Sequence, residues 1–148
     1  MSKVSWVENF YVWVAMFFGV TAFFHWRLSP NVNTILYLVG GVIGLYLLQI
    51  VEGVLKTSPQ LLRFIPTQII VTVLTLFVLT SSTNRLGQGL LLGLNLRLFH
   101  WQFLAFQTGS LGDWFRGLSS QLTLPQQKNY LLVLLVLMIL EGLIFVAV

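Results

Sequence analysis

The sequence predicts an all-α integral membrane protein built as a bundle of five transmembrane helices. Three observations lead there. Hydrophobic residues fill 57% of the 148 positions and charged residues only 8%, against about 25% charged in an ordinary soluble domain. The mean hydropathy is +0.88. Apolar stretches close to the length that crosses a bilayer, about 20 residues, recur along the chain between polar or proline-containing breaks. So few charges cannot cover a water-soluble surface, so most of the outside is expected to face lipid. The chain reads as one transmembrane helical domain over residues 1–148.

The first stretch covers residues 9–26. Lys3 precedes it, as in a signal peptide, but Glu8 and the flank His25-Trp26-Arg27 do not fit a small-residue cleavage site, so a retained helix is expected. Ser29-Pro30-Asn31 then turns the chain. The second stretch, 34–55, stops at Lys56-Thr57-Ser58-Pro59. The third, 65–81, carries Pro66 in its first turn, where a missing N–H costs little, and closes at Ser81-Ser82-Thr83-Asn84. The last covers 130–148.

The stretch 86–106 is less apolar. It holds Gln88, Asn95, Arg97, His100 and Gln102. A central Arg costs about 2.5–3.5 kcal/mol on insertion, while each Leu or Phe returns about 0.3–0.6. The sum is near zero, so this helix needs neighbours in order to insert. The alternative is four spans plus a helix lying in the interface. Between it and the last span, Leu111, Trp114, Phe115 and Leu118 recur at helical spacing with Asp113, Arg116 and Ser119 among them. That pattern predicts a short amphipathic surface helix ended by Pro125, with Trp114 and Phe115 at headgroup depth.

Loop charges set orientation. Five spans place Lys3, Lys56, Arg63, Arg116 and Lys128 on one side and Arg27 and Arg85 on the other. Five against two favours a multi-pass membrane protein with a cytoplasmic N-terminus. Four spans give five against three and the opposite orientation. The net charge of +4 therefore implies no nucleic acid. The absence of cysteine removes disulfides, thiolate metal sites and Cys nucleophiles.

Two short similarities recur in order. Phe24-His25-Trp26-Arg27 resembles Phe99-His100-Trp101-Gln102, and Ile50 to Leu55 resembles Ile139 to Ile144 around Glu52-Gly53 and Glu141-Gly142. One intervening helix would make these inverted repeats, as in many secondary transporters. Chance matching among apolar residues explains them equally, since His25 and Glu52 are 27 residues apart but His100 and Glu141 are 41 apart.

Few residues can carry chemistry. Glu141, 12 residues into the last apolar stretch, is expected to be intramembrane and to pair with Arg97 at similar depth. Glu52 is expected to meet Lys56 one turn on. Gln88, Asn95 and Gln102, spaced by seven, form a stripe for hydrogen bonds between helices or toward a wet cavity. Gly40, Gly44, Gly89 and Gly93 make two Gly-xxx-Gly pairs suited to close helix packing. His25 and His100 are the only histidines and the candidate metal or haem ligands, without motif support.

No catalytic triad, nucleotide loop or other catalytic motif is present, so the sequence leans away from an enzyme and names no cofactor. Three functions remain. One is a structural or accessory subunit, packing in the lipid bilayer against copies of itself or other membrane subunits. The second is a small oligomeric transporter or channel using Glu141, Arg97 and the Gln and Asn residues. The third is a redox component binding haem or metal through His25 and His100.

Overall fold

A computed structural model describes residues 6–27, 29–56, 62–116 and 121–148. Lys3, the stop Thr57-Ser58-Pro59, and Leu118 with Ser119 lie outside the described residues. The described chain is all-helical, with no strand: α1 (Trp6–Trp26), α2 (Val32–Leu55), α3 (Ile65–Ser81), α4 (Arg85–Gln107), a short 3-10 turn (Leu111–Phe115) and α5 (Leu124–Ala147). Two helices, α2 and α5, are long and apolar enough to cross a membrane, and α3 is apolar but shorter at 17 residues.

Local chemistry explains the boundaries. Arg27 takes a positive φ of 44° after α1, which breaks the helix and leads into Ser29-Pro30. Asn31 caps α2 by accepting from the backbone N–H of Asn33 and Thr34, while Thr34 accepts from the Asn31 N–H. This reciprocal pair satisfies donors that a helix start otherwise leaves open. Asn84 caps α4 through the Gly87 N–H. In α5 the helix begins at Leu124, ahead of the apolar stretch that starts at Tyr130. Thr123 and Gln126 form a capping box there, and Pro125 sits in the first turn. The proline therefore opens this helix and does not end a preceding one.

Successive helices run in alternating directions, and the contacts at each end agree. His25, late in α1, meets Phe145, late in α5. Phe10, early in α1, stacks on His100, late in α4. The core lies along α4. No residue from Arg85 to Phe106 is exposed, whereas α1, α2, α3 and α5 each turn large apolar side chains outward, such as Trp13, Ile35, Phe77 and Leu132. The least apolar helix is thus the one wrapped by the others. Its amides Gln88, Asn95 and Gln102 are buried, and Arg97 lies among aromatic rings.

The predicted surface helix takes another form. Its described part is a single 3-10 turn, with Leu111 fully buried and Trp114 buried against the core formed by Leu98, Trp101 and Leu131. Phe115 packs edge-on against Tyr130 with ring centroids 5.0 Å apart. Trp114, expected on a lipid-facing surface, is instead covered by protein. Leu111 and Trp114 of the turn face the interior of the bundle.

Candidate functional site

The buried polar residues gather along one side of α4. Asn95 and Gln102 are seven residues apart, two helical turns, and project from the same face. Opposite them α3 brings Gln68, two residues after Pro66 in its first turn. From α5 come Tyr130 and Glu141. These side chains form one continuous chain of hydrogen bonds. The Tyr130 hydroxyl donates to Gln102 Oε1 at 2.5 Å. Gln102 Nε2 donates to Gln68 Oε1 at 2.7 Å. Gln68 Nε2 donates to Asn95 Oδ1 at 2.6 Å and to Thr72 Oγ1 at 2.9 Å. Asn95 Nδ2 donates to both carboxylate oxygens of Glu141, at 2.9 and 2.7 Å.

Every link points the same way, with N–H or O–H toward Glu141. Gln68, Asn95, Gln102 and Glu141 are all buried. Hydrogen bonds in such surroundings polarise one another, and a partner missing from the chain leaves a costly unsatisfied group. The arrangement ties α3, α4 and α5 together. It leaves little free capacity for a ligand, because the amide N–H₂ and C=O groups between Tyr130 and Glu141 are each already engaged. A cavity of about 580 Å³ lies elsewhere, beside Phe24, His25, Arg27 and Val146, and touches none of these groups.

The expected pair of Arg97 and Glu141 does not form. Two residues apart on a helix means about 200° around it, so Asn95 and Arg97 point to opposite sides. Asn95 takes the side that faces α5 and therefore takes Glu141. The Arg97 guanidinium lies instead 5.4 Å from the Phe10 ring, 6.0 Å from Tyr46 and 5.4 Å from Trp101, between α1 and α2. Glu52 also finds another partner. Lys56 adopts a left-handed backbone with φ 50° as the C-cap of α2, so the one-turn geometry is lost. Arg63 reaches back from the connection before α3 and forks onto Glu52, Nε to Oε1 and Nη2 to Oε2, both at 3.2 Å. Its guanidinium also covers Trp101 at 3.9 Å.

Gln88, the third member of the seven-residue stripe, lies apart from the chain. Its Nε2 donates to the Ser82 carbonyl at 2.7 Å and its Oε1 accepts from Arg85, so it closes the turn between α3 and α4. The histidines are far apart. His100 stacks on Phe10, while His25 binds the Phe145 carbonyl through Nδ1 at 3.0 Å. Phe10 and His25 are about four turns of α1 apart, about 22 Å of axis. One metal or haem iron cannot bridge that distance. Among the described residues no three His, Asp or Glu side chains gather as a metal site.

Gly40, Gly44, Gly89 and Gly93 lie where α2 and α4 cross. A methyl group on Gly44 would strike the Leu90 carbonyl and stand 2.8 Å from Leu94 N, and one on Gly93 would strike the Gly41 carbonyl. Gly40 and Gly89 are equally close to Leu86 and Tyr37. Backbone meets backbone here. Gly41 belongs to the same crossing and carries Phe18 on its other side, a role that spacing by four misses. The repeated Glu-Gly pairs are not equivalent. Gly142 faces Phe17 and Thr21, whereas Gly53 has open space, and Glu141 and Glu52 have unlike partners.

Sequence reasoning also missed Gln68, Thr72, Tyr130 and Arg63. Gln68 carried a signal, being the only amide in an otherwise apolar α3. No family model, no curated protein and no solved structure matches the chain.

Proposed function

We propose that this chain is a multi-pass membrane protein whose five helices all cross the bilayer, with the N-terminus on the cytoplasmic side. On this reading it acts as a structural or accessory subunit, packing against further copies of itself or other membrane subunits. The observation that carries the reading is where the polar residues go. Gln68, Asn95, Gln102, Tyr130 and Glu141 of α3, α4 and α5 are used up on one another, and the outer faces of the four surrounding helices are apolar. Intramembrane polar groups engaged in this way hold helices together. The alternating helix directions put Lys56, Arg63, Arg116 and Lys128 at one end and Arg27 and Arg85 at the other, the asymmetry expected when the first end is cytoplasmic.

The test is biochemical. Full-length protein extracted in mild detergent should elute as an oligomer or with co-purifying membrane proteins, and cross-linking in intact membranes should trap the same species. A monodisperse monomer without partners under both conditions would refute the subunit role.

A second reading, a small oligomeric transporter or channel, is favoured by one observation: the carboxylate of Glu141 is almost wholly buried, at 1% exposure. Reconstituted vesicles should then show proton or ion flux that Glu141→Gln abolishes. Flux identical in the variant would reject that role for Glu141.

A further inference from the structure

The opposite side of α4 holds an unbalanced cluster. Arg97 Nε and both ring nitrogens of His100 are buried and have no hydrogen-bond partner among the described residues. The two residues are three apart, on one face of α4. Phe10 stacks flat on the imidazole, with ring centroids 3.8 Å apart. The Arg97 head is surrounded by Phe10, Tyr46 and Trp101. Beside it, at the surface, Tyr11 and Tyr46 join hydroxyl to hydroxyl at 3.1 Å, which uses one O–H and leaves the other free to donate. The cluster is therefore rich in donors and carries a positive charge. The nearby carboxylate Glu52 is occupied by Arg63, and Glu141 by Asn95.

We propose that this cluster, where α1 and α2 meet α4, binds the anionic headgroup of a phospholipid. An oxyanion accepts several hydrogen bonds at once and matches a guanidinium fork. It would satisfy Arg97 Nε and the N–H of neutral His100, and cancel a charge that is expensive away from water. The surroundings favour an amphiphile over a free ion. Tyr11 and Tyr46 are flanked outside by the exposed apolar residues Val12 and Ile43, a wall for acyl chains. Phe10 and His100 lie toward the end of the bundle that carries Lys56, Arg63, Arg116 and Lys128, and such a basic end attracts anionic lipid. The inference rests on the membrane-spanning reading but not on the subunit role.

Native mass spectrometry of the full-length protein in neutral detergent tests it, with titration by dioleoylphosphatidylglycerol, by dioleoylphosphatidylcholine or by inorganic phosphate. The glycerol lipid should bind at about tenfold lower concentration than the choline lipid, the size of one charge-assisted hydrogen bond. Arg97→Gln should erase that preference, and so should His100→Phe, which keeps the stack on Phe10 and the fold. Arg27→Gln, at the opposite end of the bundle, should leave it intact. Phosphate that displaces the glycerol lipid would assign the same oxyanion site to a free anion. Equal binding of both lipids to the wild type overturns the proposal, as does a preference that survives both site variants. A protein that stays soluble without detergent fails the membrane reading instead, a separate outcome.

Discussion

The two sides of α4 are held by opposite means. Toward α2 the contact is made by absence: glycines let two backbones touch. Toward α3 and α5 it is made by side chains, with Gln102, Gln68, Asn95 and Glu141 linked across gaps that glycine contacts would close. In water, apolar burial would drive both. Where the surroundings are as apolar as the protein, that drive is gone and only close packing or hydrogen bonding discriminates one helix pairing from another. The first side depends on shape and tolerates no added volume. The second depends on complementarity and tolerates no missing partner.

The largest expected effect breaks the first side. Gly44→Leu or Gly93→Leu should lower stability by about 3 kcal/mol, the upper range for overpacking, read as a lowered melting temperature by circular dichroism in detergent. Gly53→Leu, at a glycine with open space around it, is the control and should melt as the wild type does. If Gly44→Leu and Gly53→Leu melt alike, the crossing is not where the stability lies.

Breaking the second side should cost somewhat less. Asn95→Leu strands the Glu141 carboxylate and the Gln68 amide together, and should cost about 2 kcal/mol. Adding Glu141→Leu should recover part of that loss, because the penalty belongs to the unpaired group. A double variant as unstable as the sum of the singles would show that these residues do not interact. Tyr130→Phe removes only the terminal donor and should cost about 1 kcal/mol. A wild-type melting temperature in Tyr130→Phe would detach α5 from the chain at that end.

The smallest effect sharpens the division itself. Arg97→Leu and Glu141→Leu should show a coupling below about 0.5 kcal/mol, as for independent sites. Strong coupling would mean that the two sides of α4 communicate.

Helix content was legible because apolar runs and prolines are local signals, as at Pro30 and Pro66, whereas the cap at Asn31 emerged from the structure. The position of α4 at the centre was not, since nothing in residues 85–107 states what surrounds them. The polar partners were half legible. The stripe of Asn95 and Gln102 pointed to bonds between helices, but depth alone matched Glu141 with Arg97, and depth ignores the 200° that separate Arg97 from Asn95. Trp114 was misplaced for a similar reason: amphipathic spacing says that a stripe is apolar, and not whether lipid or protein will cover it. Arg63 and Gln68 required the fold, because their partners lie 11 and 27 residues away in sequence.

One feature of the amide chain reaches beyond its individual bonds. Since each link from Tyr130 to Glu141 has the same sense, turning over any one amide would set N–H against N–H on one flank and C=O against C=O on the other. The links can reverse only as a set, like compass needles in a row. A proton on Glu141 would supply the reason to reverse, because the acid would then need to donate to Asn95. The row thus has two orderly states and costly mixtures between them, and a change at α5 would be read, amide by amide, at the far end of α4.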